Sequence, residues 1–531
     1  MANARSYKQH GADGEFDAIV IGSGIGGLAT AALMARCGGK RVLVLERHYE
    51  AGGFTHTFSR KGYDWDVGVH YIGDVGTPGE GMARTFDAVS DGTMRWEDMG
   101  EVYDAVFIGG ERYDFVKGRD AWQQRMGEYF PHGRDAIARY LELVDQARGQ
   151  MQIYMVTKGM AYDPDTLPEG EAFALLARTT ADVVDGLTDD PRLRAVLTAQ
   201  FGDYGLPPKQ GCFGIHALVT AHYFDGGHYP IGGSARIYES IAPVIEAAGG
   251  AVRTVAEVEE ILVEDGRATG VRMADGVVLR APQVISDAGA AITVGRLLPP
   301  DVEAVDPLRA IVDKLGGSCG HLALYLGFKE TDEALGFDRT NRWVYTGDDH
   351  DGAMARYLED PRAPIPLVYL SFPSAKDPDF QRRHPGRATV ELVTLARYEW
   401  FQQWEDTRWM KRGDDYDTLK ADLTQRLLEA LYVQHPQVRG RVDVAELGTP
   451  LSTRHFANHP RGEIYGLTHT PERFKQHQLR VRTPIEGLLL TGADVASCGV
   501  GGALAAGIVA AGVALGDEAL FGKVLGGEVH P

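Results

Sequence analysis

The stretch Phe16-Asp17-Ala18-Ile19-Val20-Ile21-Gly22-Ser23-Gly24-Ile25-Gly26-Gly27, continued by Leu28-Ala29-Thr30-Ala31-Ala32-Leu33-Met34-Ala35-Arg36, decides the fold. An apolar β-rich run ends at Ile21, glycines stand at 22, 24 and 27, and a run of strong helix formers follows. A second apolar run, Arg41 to Leu45, ends in Glu46, about 20 residues past the glycines. Strand, tight turn, helix, strand and terminal acid in this order predict a parallel βαβ unit of the Rossmann type that holds a dinucleotide. Gly22 permits the sharp turn, Gly24 admits a pyrophosphate against the backbone, and Gly27 lets helix and strand pack closely. Ser23, Ile25 and Gly26 complete the turn, where the N–H groups of the helix start face phosphate charge. Glu46 is placed to accept the ribose hydroxyls.

Outward from this unit the chain repeats the logic once more. Gly487-Leu488-Leu489-Leu490-Thr491-Gly492-Ala493-Asp494 reads as a buried strand ending in an acid, before a glycine-rich helix start that includes Gly501 and Gly502. The window Gly499 to Leu515 approaches the length of a membrane span, but its glycines at 499, 501, 502, 507 and 512 predict a close-packed buried helix instead. Between the ends, Gly249 to Gly289 alternates in a β-like way with Asp-Gly turns, which predicts a strand-and-hairpin insertion.

Two stretches, 77–228 and 299–447, carry aromatic and aliphatic residues without nucleotide signals. Helices are predicted over Arg134–Met151, Glu171–Val184 and Tyr416–Tyr432, and strands over LALYLGF and ATVELVTLA. At 531 residues the chain exceeds one ordinary core. The predicted class is α/β: a discontinuous dinucleotide domain (16–76, 229–298 and 448–520) with a parallel sheet and a β-hairpin insertion, plus an inserted mixed α+β substrate domain (77–228 and 299–447).

Composition excludes several functions. A formal net charge of -20 repels phosphate backbones and anionic headgroups, so no nucleic-acid partner is expected. Any membrane contact would be weak, peripheral and apolar, at the inner face. The four cysteines, 37, 212, 319 and 498, lack CxxC spacing, and His216 and His222 do not share a helix face, so neither disulfides nor a metal site is expected. There is no GxSxG elbow, and Ser374-Ala375-Lys376 reads as a polar loop, which leaves hydrolysis without a nucleophile. No second βαβ fingerprint for a nicotinamide is present, so the electron donor or acceptor is left open. Met1 to Glu15 lacks the apolar core of a secretory signal, and a cytoplasmic protein is expected.

Past Glu46 the chain runs Arg47-His48-Tyr49-Glu50-Ala51-Gly52-Gly53, then Phe54 and Thr55. Further on come Gly68-Val69-His70-Tyr71-Ile72-Gly73, His222-Tyr223-Phe224, and Gly227-His228-Tyr229-Pro230-Ile231-Gly232-Gly233-Ser234. SFPSAKDP at 371–378, YEWF at 398–401 and KRGDDYDT at 411–418 complete the set. On these pieces the chain resembles the retinol saturase branch of the flavin amine oxidase and carotenoid desaturase/isomerase superfamily, over nearly its whole length.

The resemblance implies FAD as cofactor, with Arg47, Gly52, Gly53, Phe54 and Thr55 in a second binding loop and Val258 meeting the adenine through its backbone. It implies further that Asp494, after Gly492, holds the ribityl or pyrophosphate end, while the following helix start faces the isoalloxazine. It implies an oxidoreductase acting on carbon–carbon double bonds of an apolar unsaturated lipid, by saturation, or alternatively by desaturation or isomerisation. Related escort proteins bind lipid without redox chemistry. His70 and Tyr71, then His228 and Tyr229, are the candidate proton-transfer residues, because the resemblance brings both segments to the flavin face. Animal members carry a Cys pair where this chain has Phe54 and Thr55.

Overall fold

The computed structural model describes residues 5–12, 14–160 and 170–529. Of the Met1–Glu15 and 77–228 segments, residues 1–4, 13 and 161–169 therefore lie outside the described residues.

The predicted βαβ unit forms as strand Ala18–Ile21, helix Ile25–Gly38 and strand Val42–Leu45. It stands at the centre of a six-stranded sheet, in the order Arg5–Ser6, Ala251–Thr254, Val42–Leu45, Ala18–Ile21, Val284–Ser286 and Leu488–Leu490. Every neighbouring pair is parallel. Strands Ala18–Ile21, Val42–Leu45, Val284–Ser286 and Leu488–Leu490 bury every residue, as a parallel sheet covered on both faces requires. One face carries Ile25–Gly38, which packs against Arg236–Ala247 and Gly499–Leu515.

The Gly499–Leu515 segment is a buried helix, and among the described residues no helix is long and apolar enough to cross a membrane. Its glycines do different things. A Cβ on Gly507 would lie 2.6 Å from the carbonyl oxygen of Gly26, so two backbones meet there. Gly499 faces open space and is needed for its positive φ of 78°.

The alternating region 249–289 divides between two sheets. Its first and last strands, Ala251–Thr254 and Val284–Ser286, join the parallel sheet. Only Val258–Glu264, Arg267–Met273 and Val278–Arg280 form the antiparallel hairpin layer.

A seven-stranded mixed sheet holds the rest, in the order Val442–Gly448, Gly320–Phe328, Ala388–Ala396, Leu367–Ser371, Asn341–Tyr345, Val102–Ile108 and Glu111–Val116. The predicted strands LALYLGF and ATVELVTLA are the second and third in this order. Helices Arg134–Thr157 and Asp414–Gln434 extend the predicted ones. Glu171–Val184 is not one helix. It breaks into a 3-10 turn, Gly170–Phe173, and a short helix, Thr180–Val184, which restarts at a Thr179 capping box whose side chain satisfies the Asp182 N–H. Ser374-Ala375-Lys376 is not a loop either: Pro373–Lys376 is a helical turn whose lysine is wholly buried.

Candidate active site

Gly22 turns the chain at φ 98°, and its N–H donates to the Leu45 carbonyl across the paired strands. The helix that follows has no side-chain cap at Gly24, so its first N–H groups are left for a ligand or a neighbour. Ser23 ties the turn to the acid at the end of the second strand. Its N–H and Oγ donate to Glu46 Oε2 at 3.0 and 2.6 Å, while the His48 N–H donates to Oε1 at 2.7 Å. Ser23 Oγ accepts from the Gly52 N–H at 2.9 Å, which fastens the Gly-Gly loop to the same knot. Gly53 comes so close to Gly24 that an added Cβ would be 3.0 Å from the Gly24 Cα.

These residues open on a cavity of about 1020 Å³, at the upper end of small-molecule sites. Of the expected cofactor residues, Gly22, Ser23, Gly24, Ile25, Gly26, Glu46, Arg47, Gly53, Phe54, Thr55, Val258, Asp494, Gly501 and Gly502 line it. Gly27, Gly52 and Gly492 stand behind the wall. A Cβ on Gly27 would meet the Gly22 carbonyl oxygen at 2.5 Å, and one on Gly492 would meet Asp287 Oδ1 at 2.2 Å. Asp494 does double duty, since its two carboxylate oxygens accept the N–H groups of Leu467 and Ala290, both at 2.7 Å.

The same cavity is walled elsewhere by Tyr223, Trp343, Leu367, Tyr369, Val393 and Leu395, a largely apolar and aromatic surface. His70 and Tyr71 line it. His228 and Tyr229 do not reach the wall: both are buried, His228 pairs in a two-stranded ribbon with Asp98, and the Tyr229 hydroxyl donates to Asp66.

His70 Nδ1 lies 2.8 Å from Glu391 Oε2. Burial, helped by the Lys376 ammonium, pushes the imidazole down to about 4. Burial beside Asp66 raises the Glu391 carboxyl well above its ordinary range. The Lys376 Nζ donates to the His70 carbonyl at 2.9 Å and to Ser371 Oγ at 2.8 Å, and also to Asn341 Oδ1. Burial lowers this lysine to about 7 against the pull of Glu391, Asp104 and Asp66. The network continues through Asn341 Nδ2, which donates to Asp104 Oδ1 at 2.9 Å, and returns to the cavity at Tyr71, whose hydroxyl donates to Asp104 Oδ2 at 2.9 Å. The Tyr71 ring stacks on Tyr223 at 4.4 Å and 8°.

Glu391, Lys376, Asp104 and Asp287 escaped the reading of the sequence, as did Asp203, which also lines the cavity. A signal existed for two of them: Glu391 and Asp104 are lone acids inside the apolar strands ATVELVTLA and VYDAVFI, where an unpaired charge would be costly. Asp287 is set against the glycine turn, and a Cβ on Gly24 would be 2.5 Å from its Oδ2.

The pattern of the family described as flavin containing amine oxidoreductase matches residues 25–515. All-trans-retinol 13,14-reductase of Danio rerio is 36% identical, over 92% of this chain and 84% of that protein. A second Danio rerio protein, named inactive all-trans-retinol 13,14-reductase, is 31% identical over 95% and 86%. Prolycopene isomerase 2 of an Oncidium hybrid cultivar is 25% identical over 85% and 75%. Among solved structures, an oxidoreductase from Methanosarcina mazei superposes with a TM-score of 0.63 at 19% identity, covering 92% of this chain and 98% of that one.

Proposed function

Since the chain belongs to the flavin-containing amine oxidoreductase family, we propose that it holds FAD in the groove at the glycine turn and saturates a carbon–carbon double bond of an apolar unsaturated lipid. The observation that carries this reading is one continuous cavity, walled by the dinucleotide turn in one part and by Tyr223, Trp343, Leu367 and Tyr369 in another. The turn fits a diphosphate, because Gly22, Gly24 and Gly26 line the cavity and the helix start there has no side-chain cap; a Cβ at Gly24 or Gly26 would collide with Asp287 or Gly492 packed against the turn. Glu46 fits a ribose, with Arg47 and the Gly52, Gly53, Phe54 and Thr55 loop alongside and Val258 at the adenine end. Asp494, Gly501 and Gly502 are assigned to the other end of the cofactor.

When bound and reduced by an external two-electron donor, the flavin would supply hydride chemistry to one carbon of the double bond, leaving the other carbon to take a proton. The chain's part is to hold the lipid, exclude water and deliver that proton. His70 and Tyr71 are the residues of choice, since both line the cavity and both connect to buried acids. His228 and Tyr229 are assigned to support. We assign the dinucleotide-binding role to 16–76, 229–298 and 448–520, and the lipid-binding role to 77–228 and 299–447.

Ile153, Val156 and Met160 are exposed on helix Arg134–Thr157 and just beyond it, while Arg148, Gln152 and Met155 of the same helix line the cavity. This apolar surface beside the cavity supports weak, peripheral contact with a membrane that supplies the lipid.

The test is mass spectrometry of lipids from cells with and without the gene, together with the absorbance of the purified protein. Gain of two hydrogens in a lipid supports saturation. Unchanged mass with altered double-bond geometry supports the isomerase reading, which the likeness to prolycopene isomerase favours. Loss of two hydrogens supports a desaturase. A protein that binds lipid but no flavin would instead be a carrier, the reading favoured by the likeness to a relative named inactive.

A further inference from the structure

Asp203 ends a 3-10 turn, Ala199–Asp203, and lines the cavity. Its Oδ2 is buried and has no hydrogen-bond partner among the described residues. That is unusual for an acid kept for structure. Asp66, by contrast, accepts from the Ser234 N–H and Oγ and from Thr57 Oγ1, and Asp494 spends both oxygens on backbone. The turn that carries Asp203 is fixed: the Tyr465 hydroxyl donates to the Gly202 carbonyl at 2.7 Å, and Gly202 is pressed so tightly on Trp343 that a Cβ would lie 2.4 Å from the indole. Tyr223, Trp343, Tyr369 and Tyr465 line the cavity with it, so its surroundings are aromatic.

The Asp203 carboxyl is held well above the ordinary carboxylate range, by burial and then by the charge of Asp104. Among the described residues no cation offsets this. A neutral carboxyl is both a donor and an acceptor, which is what a hydroxyl or carbonyl needs in a place without water.

We propose that Asp203 is the hydrogen-bonding anchor for an uncharged polar end of the lipid, an alcohol or a carbonyl, and selects it over a carboxylate. The inference rests on the lipid reading above. An anionic end group would enter a low-dielectric pocket in which the Asp104 carboxylate already acts on Asp203, whereas an alcohol satisfies the buried, unpartnered Oδ2.

Binding of all-trans-retinol and of all-trans-retinoic acid, followed by fluorescence quenching of the flavin-loaded protein, tests this. The wild-type protein is expected to bind the alcohol more tightly than the acid. D203L should bind the alcohol roughly 10- to 100-fold more weakly, the cost of leaving a buried hydroxyl unpaired, whereas D203N, which still donates and accepts, should stay close to wild type. Infrared difference spectra on adding retinol give a second reading that does not depend on D203L folding: a protonated-carboxyl band should shift in the wild type and be missing in D203N. Equal retinol affinity in wild type and D203L, or an unchanged carboxyl band, would overturn the anchor and leave the lipid reading intact. A flavin-loaded wild-type protein that binds neither probe would overturn the anchor, and the lipid mass spectrometry above then decides the lipid reading separately.

Discussion

Gly507 and Gly26 touch through their backbones: a methyl group on Gly507 would stand 2.6 Å from the Gly26 carbonyl oxygen and 2.8 Å from the Ala29 Cβ. The contact locks helix Gly499–Leu515 onto helix Ile25–Gly38 of the dinucleotide turn. Thr30 reinforces it, with a hydroxyl 2.8 Å from the Gly26 carbonyl and 3.1 Å from that of Gly507. G507A must therefore move backbone against backbone, and is expected to cost about 1–3 kcal/mol. It should also lower flavin content, because Gly26 lies in the turn itself. G522A is the control, since a Cβ there meets nothing within 4 Å. Thermal melts and the flavin-to-protein absorbance ratio read the result, and equal melting of the two variants would show that the helices are not in this contact.

Glu46 is organised before any ligand arrives, by Ser23 and the His48 N–H. E46A removes the acceptor proposed for the ribose and leaves three donors unpaired. FAD affinity is expected to fall roughly 10- to 100-fold, the range of a charge-assisted hydrogen bond. E46Q should fall between. Flavin retained after dialysis is the measurement, and undiminished retention in E46A would remove Glu46 from the binding site.

The dinucleotide turn was legible because its chemistry is local: strand, glycines, helix and acid are contiguous, and the φ of 98° at Gly22 belongs to a glycine by necessity. The glycine-rich C-terminal helix was legible for the same reason. The buried network was not, because Lys376, Glu391, Asp104 and Asn341 come from separate segments that only the seven-stranded sheet assembles. Lys376 sits in a polar, proline-flanked stretch that has every local mark of a surface loop. Likewise His228 and Tyr229 share a glycine-rich setting with His70 and Tyr71, and only strand pairing with Trp96–Asp98 turns them away from the cavity. The break in Glu171–Val184 depends on the Thr179 cap, whose hydroxyl wins over helix continuation.

Asp287 gives a pH dependence with a definite sign. Burial first, then the charges of Glu46 and Asp494, raise its carboxyl to about 7, against the opposing pull of the nearby Gly27 and Gly24 backbone N–H groups. The folded state thus holds this proton more tightly than the unfolded chain, at 3.8. The stabilising contribution is complete below 3.8 and is lost as the pH rises through about 7. D287N cannot ionise, so its apoprotein should melt above the wild type at pH 8, and the gap should close as the pH falls toward 4. FAD should follow the same course, because an ionised Asp287 adds a negative charge beside the diphosphate: wild-type affinity should decline above pH 7 while that of D287N stays level. Parallel pH profiles for the two proteins would exclude Asp287 as the group responsible.

His70 and His228 make opposite predictions although both belong to glycine-rich segments of similar appearance. His70 lines the cavity and is hydrogen-bonded to a buried acid, whereas His228 lies outside the wall and has no partner at Nδ1 among the described residues. If His70 serves proton transfer, H70Q should lower the rate of flavin oxidation by the lipid about 10²- to 10⁴-fold, the usual weight of a positioned acid or base. Flavin content should not change, because His70 takes no part in the knot of Ser23, Glu46 and Gly52. H228Q should keep the rate. Burial pushes the His70 imidazole down to about 4, so the fraction able to donate a proton, and with it the rate, should fall roughly tenfold per unit between pH 5 and 8, while a separate inflection near 7 would belong to Lys376. Stopped-flow oxidation of the reduced protein separates these cases. A full rate in H70Q, or a loss in H228Q at unchanged flavin content, would move the proton donor away from His70 and leave Tyr71, through its hydroxyl on Asp104, as the group to replace next.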